Sequence, residues 1–396
     1  MERRAPKGPL RSTLALGAAG FCASISWQAI VPFLPLRLSH IGYTPAAIGV
    51  LVSLYSLTMA VVELQAGAVT AAVGRRWSLV GGYAANAVCL VVVAATRLRA
   101  VVAGALPGVG AARGAMFPPL HATVADSATP ETRGRAFGIF WAFTALAALA
   151  GPALGGFAAG RWGDGAPFVV GAIFSLAGLP IVAVKAAPRA RAAVRGPSSA
   201  DLAAFLAEPG IARLGASSFL CYSLAGIWST FLPLYAARHG VPVSTIGLMF
   251  TAQGCAYVGM QIPTGRLVAP ARGRWMIAAA VAGMSAAALS VPFARSAAPL
   301  IAAAVVYGTA TGLLPVTFST LLTWRTAPAR YTTAMSVYNS AIDFGLFAGP
   351  LLGAAASVVA GSIAAPFLVA LPLGLAAAAL SLQASGASAA AAPASQ

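Results

Sequence analysis

Three ionisable residues stand inside long apolar stretches of this chain: Glu63, Arg113 and Asp343. An ion in mid-bilayer costs at least about 2.5 kcal/mol on insertion scales, so such residues face a wet cavity or a partner rather than lipid. A carboxylate there can take up and release a proton, and a guanidinium can pair with it or hold an anion. Asp343 lies about a dozen residues into its apolar stretch, which places it near the expected midplane. It is the expected principal proton carrier, with Arg113 as its charge partner. Glu63, at the end of the second apolar stretch, reads as a gating or hydrogen-bonding residue before it reads as a carrier. For Arg113 a purely structural ion pair remains an equal alternative.

These residues are positioned by elements that composition identifies. Of 396 residues, 59% are hydrophobic and 8% charged, against roughly 25% charged in a soluble domain. A soluble enzyme or binding module is thereby excluded, and the solvent is a lipid bilayer. No Asp, Glu, Lys or Arg falls in 12–36, 38–62, 77–96, 136–160, 165–184, 214–237, 239–265, 275–294 or 296–324. With 100–122 (holding Arg113), 331–359 (holding Asp343) and 364–384, twelve membrane-spanning helices are expected. The net charge of +17 is a topology signal rather than a nucleic-acid footprint. With the N-terminus in the cytoplasm, 18 basic residues fall on that side and 6 on the other, Arg113 being the remaining one. Both termini are then cytoplasmic, in a multi-pass protein of the cell inner (plasma) membrane. The apolar run to Leu36 is longer than a signal-peptide core and carries Trp27, Gln28, Pro32 and Pro35, so it reads as a retained span. Cys22, Cys89, Cys221 and Cys255 lack paired spacing and read as small buried residues.

The chain repeats itself at an offset of 198 residues. Phe33-Leu-Pro-Leu36, Gly42, Ile48 and Gly49 recur as Phe231-Leu-Pro-Leu234, Gly240, Ile246 and Gly247. The same offset carries Gly67, Arg76 and Trp77 onto Gly265, Arg274 and Trp275, Gly110 and Gly114 onto Gly308 and Gly312, and Gly151, Pro152 and Gly155 onto Gly349, Pro350 and Gly353. Two halves with an even number of spans share one orientation, a parallel repeat. The expected divisions are a cytoplasmic tail 1–11, a six-helix half 12–184, a cytoplasmic central loop 185–213, a second six-helix half 214–384 and a disordered tail 385–396. Within the central loop, 199–208 is expected to form a short amphipathic surface helix.

Loop and span motifs carry a family resemblance. Gly67-Ala-Val-Thr-Ala71-Ala72-Val-Gly74-Arg75-Arg76 resembles the cytoplasmic-loop signature of the major facilitator superfamily, with Ala71 in place of its acid; the second copy, from Gly265 to Arg274 with Ala269, lacks it too. Gly110, Gly114 and Pro118, followed by Asp126-Ser-Ala-Thr-Pro-Glu-Thr-Arg133-Gly134, look like the family's fourth span and its loop. Gly151-Pro152-Ala-Leu-Gly155 is similar to the antiporter signature of the drug/proton branch, with Ala147 at its first glycine, and Gly349-Pro350-Leu-Leu-Gly353 repeats it. The resemblance covers residues 12–384. A second reading of the Gly-Pro element is that it packs and kinks its helix without setting a direction of transport.

The resemblance implies an all-α membrane protein of twelve helices in two six-helix repeats, working by alternating access without a cofactor and as a monomer. Its architecture would line a central cavity with spans 1, 4, 7 and 10, making Trp27, Gln28, Arg113, Tyr222, Trp228 and Tyr307 candidates for contacting a small-molecule substrate. That branch places an arginine in span 4 where this chain has Leu106; Arg113, two turns on, lies near the same face. Neither Lys7 nor Lys185 follows a phosphate-binding glycine loop, so an ion or solute gradient, with protons the expected ion, must drive any movement. His40, His121 and His239 are scattered without ligand-like spacing, and no metal site or enzyme motif is expected. The expectation is a proton-coupled exporter of an amphipathic or drug-like solute. The alternatives are proton symport of a sugar or organic anion, with Arg113 on the anion, and a sensor or scaffold that moves nothing, consistent with the loss of the loop acids.

Overall fold

Lipid offers a backbone no hydrogen-bond partners, so each apolar run must satisfy its own N–H and C=O groups as helix. The computed structural model describes residues 9–129, 132–186, 208–326 and 330–384, and its regular elements there are all helical. They are α1 (Pro9–Gln28), α2 (Phe33–His40), α3 (Pro45–Val73), α4 (Arg75–Ala95), α5 (Arg99–Asp126), α6 (Arg133–Trp162), α7 (Ala166–Lys185), α8 (Pro209–Arg238), α9 (Val243–Leu267), α10 (Gly273–Ser290), α11 (Ala297–Gly312), α12 (Leu314–Arg325), α13 (Tyr331–Val359), α14 (Ala365–Leu368) and α15 (Ala370–Gln383).

Among the described residues, 10 helices are long and apolar enough to cross a membrane, or 11 if α1 and α2, bent by 40° at their break, form one span. The twelfth expected span is α9. It has the length, at 25 residues, but Gln253, Gln261 and Arg266 dilute its apolarity. The expected tail 385–396 and nearly all of the expected surface helix 199–208 lie outside the described residues, as does 1–8 of the N-terminal tail.

The chain forms two compact units, one drawn from Met1–Ile41 and Leu57–Val194, the other from Gly42–Ser56 and Arg195–Gln396. α3 is therefore shared. Its first turns belong to the second unit, where Ser53 Oγ donates to the Phe347 carbonyl at 2.7 Å and Gly49 is close-packed on the Pro350 carbonyl and Ala354. Its remainder belongs to the first unit.

The 198-residue repeat reappears in the contacts of each unit. In the first, α1 packs on α6 and α7, and α4 on α5 and α7; in the second, α8 packs on α13 and α15, and α10 on α11 and α15. Glycines set the closest approaches, as small residues do between helices in lipid. A Cβ on Gly114 would stand 2.5 Å from the Met59 carbonyl, and one on Gly312 would stand 2.6 Å from the Tyr257 carbonyl, both pairs related by the repeat. Gly155 lies against the Phe33 ring as Gly353 lies against Phe231. Turn glycines follow the same rule: Gly42 and Gly240 have φ of 96° and 76°, Gly163 and Gly361 of 91° and 61°. This left-handed backbone suits a residue without Cβ.

Candidate functional site

In the first unit α5 carries Arg113 well inside a 28-residue helix. The residue is only 8% exposed. Its guanidinium carbon lies 4.6 Å from the centre of the Trp27 ring on α1 and 5.2 Å from that of Phe117, one turn along α5. Such cation–π contacts contribute about 0.5–2 kcal/mol each, more as water is excluded. Glu63, on α3, approaches at the same level: its backbone nitrogen would stand 2.9 Å from a Cβ on Gly114, the next residue of α5. What holds the two helices this close is Gly114, whose missing side chain leaves room for the backbone of Met59 and Glu63.

The match is incomplete. Nε and Nη1 of Arg113 are buried and have no hydrogen-bond partner. An unmatched buried donor costs about 1–3 kcal/mol, and more on a charged group. Just beyond, Pro118 and Pro119 interrupt the α5 ladder; Pro119 leaves the Ala115 carbonyl without its helical donor, and Ser78 Oγ donates to it at 3.3 Å. One turn past Phe117, His121 sits 5.2 Å from Phe140 and 5.4 Å from Trp141, ring centre to ring centre.

The second unit carries aromatic and amide groups in place of that charge cluster. Trp228 on α8 and Tyr307 on α11 stack with centroids 4.0 Å apart and planes 5° from parallel. The Trp228 indole N–H donates to Gln253 Oε1 at 2.8 Å, while the buried Tyr307 hydroxyl has no hydrogen-bond partner. The hydroxyls of Tyr222 and Tyr338 meet at 3.3 Å. Trp228 and Tyr307 are each 2% exposed, so both are enclosed in the core of this unit, whereas Tyr222, Trp27 and Gln28 are half-buried. Asp343 is half-buried on α13.

The motif residues divide into packing and pairing. Gly74, with φ of 85°, opens α4, and Arg75 Nη1 reaches Asp126 Oδ2, at the end of α5, at 2.5 Å. Arg76 is half-buried and Arg133 exposed. Gly67 and Gly265 have open space where a Cβ would stand, so neither is a packing glycine. Gly151 lies on Gln28 of α1 and Gly349 on Ser223 and Gly226 of α8, with Pro152 and Pro350 inside their helices.

Glu63 lies within α3, which runs on to Val73 with no breaker before Gly74. Three residues, Cys89, Cys255 and Arg37, differ from expectation. Cys255 is exposed and Cys89 half-buried, with the Cys89 sulfur against Gly108 of α5. Arg37, read only as an outer loop charge, is 3% exposed. It donates to the carbonyls of Val93, Ala94 and Thr96 at 3.0–3.3 Å and to Asp164 at 2.6 Å, and His40 also reaches Asp164. A signal was available: Asp164 is the one acid among the six arginines assigned to that face.

A repeated six-helix array with a buried arginine inside its spans points to a class, membrane transport proteins, rather than an enzyme. The family model of the Major Facilitator Superfamily matches residues 16–242 and 214–393, and the chain belongs to that superfamily of secondary transporters. No curated protein matches it by sequence. Among solved structures, the nucleoside transporter NupG is similar at 12% identity with a TM-score of 0.76, over 95% of this chain and 98% of its own. A bacterial homolog of the human lysosomal transporter Spinster, inward-facing and occupied, gives 16% and 0.75, over 95% and 97%. The human organic anion transporter MFSD10 gives 19% and 0.65, over 96% and 100%. At these identities the likeness establishes the fold.

Proposed function

We propose that this protein is a proton-coupled secondary transporter that exports a small amphipathic solute by alternating access, as a monomer in the plasma membrane with both termini cytoplasmic. The observation that carries the reading is Arg113, buried between Trp27 and Phe117 with two guanidinium nitrogens that have no hydrogen-bond partner. A buried guanidinium with unmatched donors costs stability, so holding it here is weak evidence for a structural role and better evidence for use. Asp343 supplies a carboxylate, half-buried in α13, and is assigned as the principal proton carrier. The aromatic faces of Trp27 and Tyr222 suit an amphipathic solute, with apolar area and a polar tip.

The test is counterflow and proton flux in proteoliposomes, with substrates drawn from a susceptibility screen of expressing against non-expressing cells. Wild-type protein exchanges a solute identified by the screen and releases or takes up protons with it, whereas Asp343→Asn retains counterflow and loses proton-driven accumulation. Full proton-driven accumulation by Asp343→Asn refutes the assignment. No counterflow of any solute by folded wild-type protein supports a sensor or scaffold instead. A second reading, uptake by proton symport, is favoured by the unmatched donors of Arg113, which suit an anion. The side to which a pH gradient drives the solute separates export from uptake.

A further inference from the structure

Where α2, the end of α4 and the α6–α7 connection come together in the first unit, one cation is spent on structure and another is left over. Arg37 places all three of its guanidinium nitrogens on acceptors: the carbonyls of Val93, Ala94 and Thr96 and Oδ1 of Asp164. His40 Nδ1 faces the other oxygen, Oδ2, at 3.2 Å. Arg97, in the turn between α4 and α5, comes third to this carboxylate. Its Nη2 stands 3.7 Å from Oδ1, beyond hydrogen-bond reach, and its side chain is 73% exposed. Two guanidiniums therefore share one carboxylate, and one positive charge is in excess. The sequence assigns no other acid to this face.

Beside these groups lies an open cleft of about 600 Å³. Small residues make room for it. Ala94 and Ala95 end α4, Gly165 and Ala166 begin α7, and the two backbones approach so closely that a Cβ on Gly165 would stand 2.8 Å from the Ala94 carbonyl. Arg97, Asp164 and Trp162 form the polar end of the cleft. From there it runs along α7 past Val169 to Ile173, about 10 Å at the helical rise of about 1.5 Å per residue. Trp162, Val169 and Ile173 are exposed, which in a bilayer means exposed to lipid. No residue of α1 or α5 lines it, so it is separate from the surroundings of Trp27 and Arg113.

We propose that this cleft binds one anionic phospholipid, with its phosphodiester on Arg97, its glycerol beside Trp162 and an acyl chain along Val169 and Ile173. The excess positive charge calls for an anion, and a phosphodiester takes the guanidinium fork that the distant Asp164 leaves open. The apolar wall begins directly at that charge, so the same molecule must carry a chain, which a soluble anion lacks. A zwitterionic lipid brings an ammonium that finds both Asp164 oxygens already engaged, by Arg37 and His40. A second copy of this chain has no acid at the same face, other than Asp164, with which to meet Arg97. An exposed indole between a charged rim and an apolar wall also matches the headgroup level at which tryptophans concentrate in membrane proteins.

Binding here needs no transport, so the test is binding to the full chain. Native mass spectrometry of the detergent-solubilised protein follows what it retains as phosphatidylglycerol, phosphatidylcholine or glycerol phosphate is titrated. Wild-type protein is expected to retain a first phosphatidylglycerol more tightly than phosphatidylcholine, and no glycerol phosphate. Arg97→Gln, at an exposed side chain, is expected to lose about fivefold in phosphatidylglycerol affinity, the scale of one arginine at an anionic lipid surface, and to hold phosphatidylcholine as wild type does. Arg238→Gln removes an equal charge from an exposed arginine outside the cleft and is expected to keep the wild-type affinity. Val169→Trp fills the apolar wall and is expected to weaken both lipids. Wild-type phosphatidylglycerol affinity in Arg97→Gln, or the same loss in Arg238→Gln, overturns the proposal. So does equal wild-type affinity for the two lipids, retention of glycerol phosphate, or lipid binding by Val169→Trp as tight as wild type. A wild-type dimer that Val169→Trp abolishes overturns it too, in favour of a second copy as the occupant.

Discussion

A single methyl group on Gly114 tests whether the approach of α3 to α5 is set by backbone contact. A Cβ there would meet the Met59 carbonyl at 2.5 Å, the Glu63 amide nitrogen at 2.9 Å and the Val62 Cβ at 3.1 Å. The first two are backbone atoms, so no rotamer change relieves them. Restoring an ordinary 3.4 Å contact requires α3 to move by about 0.9 Å. Overpacking of this kind costs about 1–3 kcal/mol, partly offset by about 1 kcal/mol of gained helix propensity. Gly104→Ala on the same helix has open space around the new methyl and gains the propensity alone. The difference between the two variants therefore isolates the steric cost at about 1–3 kcal/mol, a gap of about 2–10 °C in unfolding temperature. Thermal unfolding of the detergent-solubilised variants, followed by retention of the monodisperse peak, measures it. Gly312→Ala, where the methyl would stand 2.6 Å from the Tyr257 carbonyl, should lose as much. A Gly114→Ala protein as stable as Gly104→Ala would refute the packing argument and the placement of Glu63 beside Arg113 that depends on it.

Acid sensitivity provides a second measurement, at Asp164 in the connection between α6 and α7. Burial pushes its carboxyl up, but the hydrogen bonds and charges of Arg37 and His40 outweigh that and hold it below the usual carboxylate range. Its contribution is thus complete above about pH 4 and is lost as pH falls through the depressed folded-state value. Wild-type protein should lose its stability advantage over Asp164→Asn below about pH 4, and a gap that stays constant through that range contradicts the assignment. A third concerns Trp228→Phe, which keeps a ring on Tyr307 but strands Gln253 Oε1, now bonded at 2.8 Å. It should cost about 1–3 kcal/mol in thermal unfolding, of which the double variant with Gln253→Leu recovers part, because an unmatched buried acceptor costs more than a hydrogen bond removed whole. Equal stability of Trp228→Phe and wild type would remove that hydrogen bond from the account.

Spans, repeat and packing glycines were legible because each leaves a local trace: a charge-free run, an offset, a residue without Cβ. Side-chain pairing left less. Glu63 and Arg113 are both visible as ions in apolar surroundings, but the close approach of α3 to α5 beside them is not. The charge-free interval ends at Glu63, but the helix does not. α3 continues for ten further residues, to Val73 before Gly74. Arg37 was hidden for the opposite reason: it lies outside the apolar runs in sequence but is drawn into the protein by Asp164 and three carbonyls that only the fold brings together.

The repeat separates scaffold from chemistry. At the offset of 198 the close-packing glycines recur with their contacts, Gly114 on Met59 beside Gly312 on Tyr257. The polar side chains do not: Arg113 corresponds to Thr311, Glu63 to Gln261 and Trp27 to Ala225, while Trp228 and Tyr307 correspond to Ile30 and Val109. Both units thus keep the backbone approach that a glycine permits, and each uses the space beside it differently. The first holds a buried cation with unmatched donors, the second a stacked aromatic pair with an amide. Had the charge pair served mainly to hold α3 against α5, the second unit would need its own pair to hold α9 against α11. It holds them with Gly308 and Gly312 and no charge at either equivalent position. The glycines therefore suffice for the packing, and the ions of the first unit are not required for it.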